Sequence, residues 1–286
     1  MGNNPAPVVD AAPELRCFCG SSATMVSHSH RLSCPDCGSF FDIPFLSGWG
    51  YGDDYPKARN HFDGTIGELK TRTMIGWLRQ VGLNDLSQMV VCEVGFGGGF
   101  CLRHLHTLAR KAYGVEIVES SINHAHALGI PRDHLLHFER LPPILPDPVD
   151  LWIFQDSFEH IPDPGVFVDW AIANSSNEAR MMVVAPCAGS WSDRVFGRFW
   201  MHRVPEHRFH WSIQGLTRFF SLRNFVVTTS FYPWKYISIK VVLSHIFIMA
   251  NLNTNELLNY RSRCFLSKVT VKFNIGEFGL VFGRVS

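Results

Sequence analysis

Four of the eight cysteines in this chain lie close together near its start and have the spacing of metal ligands. They form two short pairs, each followed by a glycine: Cys17, Cys19, Cys34 and Cys37. Turns of this kind free backbone N–H groups to face thiolates, and two such turns offer four sulfur ligands to a tetrahedral Zn²⁺ ion. We therefore expect a structural zinc ribbon, with His28 and His30 as spare ligands. The alternative is reduced, buried thiols without metal, although so short a segment with few apolar residues needs a cross-link to fold.

A second group of residues predicts a binding site for a nucleoside. Gly95, Gly97 and Gly99 follow an apolar run typical of a buried strand, and Glu116 comes at the end of the next such run. Glycines in this turn let the backbone approach a ligand closely at the carboxyl edge of a parallel sheet. An acidic residue roughly 20 positions later can accept hydrogen bonds from both ribose hydroxyls. The pattern thus indicates a nucleoside-containing ligand.

The sixth position of the glycine turn distinguishes between nucleoside cofactors. A dinucleotide site has Gly or Ala there, so that helix and strand pack around a pyrophosphate, whereas this chain has Phe100. NAD and FAD are therefore disfavoured. The pattern Glu-x-Gly-x-Gly-x-Gly resembles instead the first motif of class I S-adenosylmethionine-dependent methyltransferases. The resemblance implies S-adenosylmethionine as cofactor and the following cofactor-binding residues: Glu93, Gly95, Phe96, Gly97, Gly99, Glu116, Ile117, Glu139, Gln155 and Asp156.

The resemblance extends well beyond this turn. Residues 151–164 resemble the fourth strand and the following Leu-Glu-His-x-x-Asp-Pro segment of small-molecule methyltransferases. Residues 183–225 are similar to a Pro-x-His block found in a subfamily that often carries an N-terminal Cys-knuckle domain, although Trp211 and Asn224 replace the usual Phe and Gly. The match implies methyl transfer to oxygen, nitrogen or carbon of a small-molecule acceptor, in sugar or natural-product biosynthesis.

Such a reaction requires alignment of the acceptor with the methyl group and, for many acceptors, a base. The residues that directly follow the fourth strand lie beside the expected cofactor site. Among them, His160 can accept a proton near neutral pH, and Asp156 can orient its ring if this stretch is helical. By resemblance, a carboxylate such as Glu159 pairs with the histidine as a catalytic dyad in some N-methyltransferases. We favour that role over a divalent metal bound by Asp156, Glu159 and His160, as in ubiquinone-type O-methyltransferases. A Glu-His pair that only caps and braces the loop stays open as an alternative.

Two further histidines are candidates for the base. His207 and His210 lie in the Pro-x-His block near Trp200 and Trp211. They either line the acceptor pocket and accept its proton or serve as packing residues among the aromatic side chains. The sequence leaves both roles open.

The elements that must position these residues follow from hydrophobic periodicity. A helix is expected over residues 64–82, with Gly82 at its end. Strands and helices then alternate: strand 89–94, helix 101–111, strand 112–118 and helix 120–128. This alternation predicts a parallel, doubly wound sheet. By resemblance, the strand expected near 278–282 lies antiparallel beside the edge of that sheet.

The predicted fold class is therefore α/β, a Rossmann-like doubly wound sheet of class I methyltransferases that is mostly parallel, with one antiparallel C-terminal strand and a small N-terminal zinc-binding domain. The expected divisions are a flexible lead-in (1–13), a zinc ribbon-like domain (14–45), a linker with N-terminal helices (46–88), and a methyltransferase domain (89–286) with an insertion near 235–266. Tyr51 and Tyr55, in the linker, form either a lid over the cofactor or interdomain packing.

Composition restricts the partners. With 46% hydrophobic residues, 18% charged residues and a net charge of +1, the chain is expected to be globular and to lack a field that attracts nucleic acid. It has no apolar run of about 20 residues, so we expect a soluble cytoplasmic protein without a membrane span. The apolar stretch 241–252 is suited to a core or a homodimer helix. Two alternatives stay open: a non-catalytic, zinc-bearing, cofactor-binding interaction subunit, and an RNA or protein methyltransferase that uses the ribbon for recognition.

Overall fold

The computed structural model describes residues 16–28, 30–43, 55–58, 60–238 and 270–285. The helices of this part are α1 (Tyr55–Ala58), α2 (Gly64–Gln80), α3 (Phe100–Leu108), α4 (Glu119–Ala127), α5 (Pro164–Ala173), α6 (Trp191–Phe196) and α7 (Ile213–Ser221). The strands are β1 (Val26–His28), β2 (Arg31–Ser33), β3 (Phe40–Asp42), β4 (Val90–Val94), β5 (Lys111–Glu116), β6 (Leu135–His137), β7 (Val149–Gln155), β8 (Ser175–Pro186), β9 (Phe209–His210), β10 (Phe225–Phe231), β11 (Lys235–Ser238), β12 (Thr270–Phe273) and β13 (Glu277–Arg284).

A seven-stranded sheet forms the centre of the fold, in the order β10-β13-β8-β7-β4-β5-β6. Strands β8, β7, β4, β5 and β6 pair in parallel, whereas β13 runs antiparallel between β8 and β10. Every residue of β4 is buried, as expected for a strand covered on both faces, which explains why its sequence is apolar except for Glu93. The doubly wound sheet with one antiparallel C-terminal strand is confirmed.

Helix α2 covers one face of this sheet and reaches the edge of the ligand-binding region. The Asp63 carboxylate caps its start by accepting the N–H of Thr65, and Gly82 follows its end in the left-handed region at φ +78°. Trp77 is buried on the helix, and its indole N–H donates to the carbonyl of Trp234 at 2.9 Å. Helix α2 thereby fixes the chain just before β11.

The N-terminal ribbon shares its sheet with the larger domain. Strands β1, β2 and β3 pair antiparallel, and β9, from the segment that contains the Pro-x-His block, adds to β3. The Ser212 N–H donates to Ser39 Oγ at 2.9 Å, and the Arg203 guanidinium forms an ion pair with Asp42 whose two side chains are almost wholly buried. The sheet of the ribbon therefore includes a strand from far beyond residue 45.

The region predicted as an insertion begins with a strand, β11. It pairs antiparallel with β12, which follows the predicted insertion and directly precedes β13, and the two strands together form the β11–β12 hairpin. The rest of the predicted insertion, including 241–252, lies outside the described residues, as does Tyr51. Within the described ranges, no helix combines the length and apolar character needed to cross a bilayer.

Candidate active site

The glycine turn between β4 and α3 forms a close-fitting cradle. Gly95, Gly97 and Gly99 all have positive φ angles, of +74°, +55° and +78°. A Cβ atom on Gly95 would lie 2.6 Å from the Cβ of Ser157, so the turn has no room for a side chain there. The left-handed backbone and the close approach both require glycine. The turn therefore leaves backbone, rather than side chains, at the carboxyl end of β4.

Glu116, the last residue of β5, holds this turn. Its carboxylate accepts the N–H of Gly97 at 2.8 Å, of Ile117 at 2.7 Å and of Val118 at 3.2 Å. Burial raises the pKa of Glu116, and these three donors oppose the rise because they favour the charged form. The carboxylate thus joins the ends of β4 and β5 at the edge where a nucleoside is expected.

A cleft in two connected parts opens at this edge. The first part is lined by Glu116, Ile117 and Phe138 in addition to the residues shared with the second. The second is lined by Glu93, Phe96 and Gln155 together with Met201, Val204, Glu206 and His207. The residues that line both parts are Tyr55, His61, Gly95, Gly97, Asp156 and His160.

The structure distributes the predicted cofactor residues along this cleft. Burial raises the pKa of Glu93 to about 8, so its carboxyl group is mostly protonated at neutral pH. Gly99 caps α3 and lies outside the residues that line the cleft, and Glu139 is exposed on a short 3₁₀ turn, where the preceding Phe138 faces the cleft. The contact of Glu139 with adenine stays a prediction.

Asp156 has a different partner from the one that the sequence suggested. It lies in a left-handed conformation, at φ +51°, directly after β7, and the helical turn comprises only Phe158–His160. Its two carboxylate oxygens accept hydrogen bonds from Lys235 Nζ at 2.7 and 2.6 Å. Burial opposes ionisation, but the attraction of Lys235 prevails and lowers the pKa of Asp156. Asp156 therefore pairs with the hairpin lysine, whereas the imidazole of His160 is held by another group.

That group is the backbone carbonyl of Glu206, in the part of the cleft that Met201, Val204 and His207 also line. His160 Nδ1 lies 2.9 Å from the carbonyl oxygen of Glu206, and its ring contacts that of His207 edge to face. Since a carbonyl only accepts, Nδ1 carries the proton in the neutral ring and Nε2 holds the lone pair. Glu159 is buried beneath them, and its Oε1 is 3.7 Å from His207 Nε2. Burial raises the pKa of Glu159 and lowers that of His207, so both tend toward the neutral form.

The predicted catalytic histidines and carboxylates thus lie in three places: one cluster of three residues, Asp156 beside Lys235, and His210 away from the cleft. Glu159, His160 and His207 have ligand atoms within 4.8 Å of one another, a grouping that contains His207 in place of the expected Asp156. His210 is wholly buried on the ribbon side, stacked on Phe40 with ring centroids 4.5 Å apart, and is not among the residues that line the cleft.

The four N-terminal cysteines converge. Cys17 and Cys37 have their Sγ atoms 3.6 Å apart, and Cys19 and Cys34 have theirs 3.8 Å apart. All four Sγ atoms lie within 4.8 Å of one another. The edge of a tetrahedron of sulfurs around zinc, with bonds of about 2.3 Å, is roughly 3.8 Å. The thiols therefore have the donor set and the spacing of a four-cysteine metal site.

Three residues at or beside the cleft were not singled out from the sequence. His61 and Lys70 line the cleft from the chain segment before β4, and Lys235 reaches Asp156 from the hairpin after β10. None stands in a motif. For Lys70 the helical spacing of α2 was an available signal, because the residue lies one turn from the buried Met74.

The fold and the cleft define a class I S-adenosylmethionine-dependent methyltransferase with a four-cysteine cluster at its N-terminus. The sequence comparison agrees: the chain belongs to the methyltransferase domain family, whose model matches residues 67–230. No curated protein matches the sequence at a significant level.

Solved structures share the fold at low sequence identity. A methyltransferase complex of Haloferax volcanii with the Trm112 methyltransferase activator contains a chain with 16% identity and a TM-score of 0.55, and the alignment covers 83% of this chain and 100% of that one. A Bacillus halodurans methyltransferase has 17% identity and a TM-score of 0.51, with coverage of 73% and 97%. A S-adenosylmethionine-dependent methyltransferase of Thermotoga maritima has 13% identity and a TM-score of 0.51, with coverage of 80% and 97%.

Proposed function

We propose that this methyltransferase acts on a small-molecule acceptor of a biosynthetic route, with His160 as the base. The observation that carries the proposal is the two-part cleft. Its first part contains the glycine cradle and Glu116, and its second part contains an apolar and histidine-bearing wall. His160 and Asp156 lie where the two parts meet. A cofactor in one part and an acceptor in the other would therefore have their reacting atoms beside His160.

The residues of the first part fit S-adenosylmethionine. The Glu116 carboxylate faces the cleft with lone pairs beyond its three backbone donors, and two ribose hydroxyls would bind there. When bound, the cofactor supplies an electrophilic methyl group on a sulfonium. Glu93 and Lys70, in the second part, would hold the charged ends of its amino-acid moiety. The glycine cradle lets the backbone lie against the chain that joins these two ends.

The second part suits an acceptor that loses a proton. Met201 and Val204 exclude water from it, and His207 contributes a polar edge. His160, which donates from Nδ1 to the carbonyl of Glu206, offers Nε2 to the acceptor proton. A divalent metal held by Glu159, His160 and His207 is the competing arrangement. Unchanged methyl transfer after dialysis against EDTA supports the base, and loss that Mn²⁺ or Mg²⁺ restores supports the metal.

The first experiment is calorimetry of the purified chain with S-adenosylhomocysteine, followed by incubation with methyl-labelled S-adenosylmethionine and extracts of the source organism. We expect binding and a labelled product of low molecular mass. Absence of heat contradicts cofactor binding. Label that appears in RNA or protein favours the macromolecular alternative, and tight binding without transfer to any fraction favours the non-catalytic subunit.

We also propose that the four cysteines hold structural zinc. The short Sγ–Sγ distances support it, because four buried thiols gain little from one another without a metal. Mass spectrometry of the native chain should give one zinc ion. Cys34→Ser should lose it, whereas the same substitution at Cys92, a buried cysteine of β4, should not. Equal zinc content in the two variants contradicts the assignment.

A further inference from the structure

The hairpin β11–β12 presents Lys235 toward the active site. On one side of this residue, the carbonyl of Trp234 accepts the indole N–H of Trp77 at 2.9 Å. On the other, the N–H of Tyr236 donates to Thr73 Oγ1 at 3.0 Å. Two hydrogen bonds to the same helix, α2, therefore fix the backbone on either side of Lys235. The side chain of Lys235 is directed inward and is only 15% exposed.

The Lys235 ammonium connects two strand ends of the central sheet. It donates to both carboxylate oxygens of Asp156, the residue that directly follows β7. It also donates to Oε1 of Glu277, which is the first residue of β13. His202 Nε2 lies 3.5 Å from the same oxygen. The buried carboxylate of Glu277 would be costly if it were unpaired, and the same lysine also pairs with Asp156, whose side chain is 33% exposed. The contacts thus link the hairpin, β13 and the end of β7 in one ionic group.

Asp156 is the member of this group that reaches the cleft. It lines both parts, and its left-handed backbone turns the chain out of β7 into the short turn Phe158–His160. An aspartate in this conformation is tolerated but not favoured, so the turn depends on contacts that hold it. The hydrogen bonds from Lys235 are such contacts, and they lie four residues from the proposed base.

We propose that Lys235 is a positioning residue of the methyltransferase site: it clamps the Asp156 carboxylate and thereby fixes the turn that carries His160 against the cleft. The role of His160 in this statement rests on the proposed function. The hairpin, whose first strand begins the predicted insertion, would then contribute to catalysis by holding this turn in place. The cofactor cradle stands on β4 and β5, with which Lys235 forms no hydrogen bond in the described part of the chain, so we expect the clamp to act more strongly on the transfer step than on cofactor affinity.

The test compares four forms of the full chain: wild type, Lys235→Met, Lys235→Arg and Lys272→Met. Lys272 is exposed on β12, opposite Tyr236, so its variant controls for the same substitution in the same hairpin. Hydrogen exchange of amides 156–161 is measured in the free protein and with S-adenosylhomocysteine. Transfer is measured with methyl-labelled S-adenosylmethionine and the extract fraction that accepts label from the wild type, and kcat is separated from KM for the cofactor.

In Lys235→Met we expect amides 156–161 to exchange about 10-fold faster, while those of β4 keep their rate. We expect kcat to fall by about 10-fold or more, with KM for the cofactor within about 3-fold of wild type. Lys235→Arg, which keeps the charge and two or more donors, should retain both properties, and Lys272→Met should match wild type. If Lys235→Met does not fold, Asp156→Asn breaks the same pair from its other side and must give the same local exchange pattern.

Two results would overturn the proposal. Unchanged hydrogen exchange of amides 156–161 in Lys235→Met would show that Lys235 does not hold the turn. An equal increase of exchange across the central sheet would show that Lys235 stabilises the whole sheet rather than this turn. The proposed function fails separately. If the wild type does not bind S-adenosylhomocysteine, the cofactor assignment is lost, but the exchange comparison in the free protein still decides the role of Lys235.

Discussion

Replacing Glu116 with alanine should weaken the binding of S-adenosylhomocysteine without unfolding the chain. The carboxylate would lose two hydrogen bonds to ribose hydroxyls, and bonds to a charged group contribute about 1.5–3 kcal/mol each. The three backbone donors that it now satisfies, at Gly97, Ile117 and Val118, would also be left to water or to the ligand. Allowing for water that fills the space, we expect a net loss of about 2–4 kcal/mol, or roughly 30- to 1000-fold in Kd.

Titration calorimetry measures this loss directly, and urea unfolding measures the stability of the same samples. Glu119→Ala is the matched control, because the Glu119 side chain is 42% exposed, lies three residues away and, in the described part of the chain, pairs only with Arg132, Arg140 and His137. It should leave Kd within about 2-fold, as surface substitutions do. If Glu116→Ala binds S-adenosylhomocysteine as tightly as Glu119→Ala, the carboxylate does not hold the ribose, and the assignment of the glycine cradle to the cofactor is wrong.

Three further predictions test other parts of the molecule. His160→Ala should lower methyl transfer by about 10²–10⁴-fold while Kd for S-adenosylhomocysteine changes little, and equal loss of both in calorimetry and labelling assays would contradict the role of base. Arg203→Met removes the guanidinium that is paired with the buried Asp42 and leaves His210, whose Nε2 is 3.9 Å from Asp42 Oδ2, as its neighbour, so urea unfolding should show a loss of about 3–5 kcal/mol, and a loss below about 1 kcal/mol would show that His210 or water compensates the charge. Burial lowers the pKa of His207 and His210 well below normal, so the unfolded chain binds more protons below about pH 6.5. These two histidines therefore make the free energy of unfolding fall as the pH drops from about 6.5, whereas the raised pKa values of Glu93 and Glu159 act in the opposite direction. Between pH 7.5 and 5.5 the pH profile of the wild type should consequently lie lower at the acid end, relative to pH 7.5, than that of His210→Gln, and identical profiles would refute the cause.

The cofactor half of the site could be predicted because it is local in sequence. The glycine turn and Glu116 lie on consecutive β-α units, and the periodicity that identifies those units also sets the direction in which their carboxyl ends point. A single turn and a single acid are then enough to place a nucleoside. Predicted and observed bounds of these elements differ only by a few residues at their ends.

The partners of Asp156 could not be predicted because they are distant from it in the sequence. A helical repeat placed Asp156 beside His160, but the left-handed backbone at Asp156 breaks the helix and directs its carboxylate to Lys235. That lysine is 79 residues away along the chain. Its approach depends on how the hairpin docks on α2, and neither spacing nor composition encodes this contact. The same holds for His207, which reaches Glu159 only because β9 joins the sheet of the ribbon.

The two halves of the cleft consequently depend on different parts of the molecule. The wall at Met201, Val204 and His207 belongs to a segment with little regular structure, so it needs support from outside. The support is the ribbon: β3 pairs with β9 directly after this wall, and Asp42 holds Arg203 within it. The cradle at Gly95–Gly99 has no such dependence, because the central sheet carries it. Under the proposed function, the four cysteines would act on the acceptor through the ribbon, and the part of the enzyme that selects the acceptor would be the part that the common methyltransferase motif does not contain.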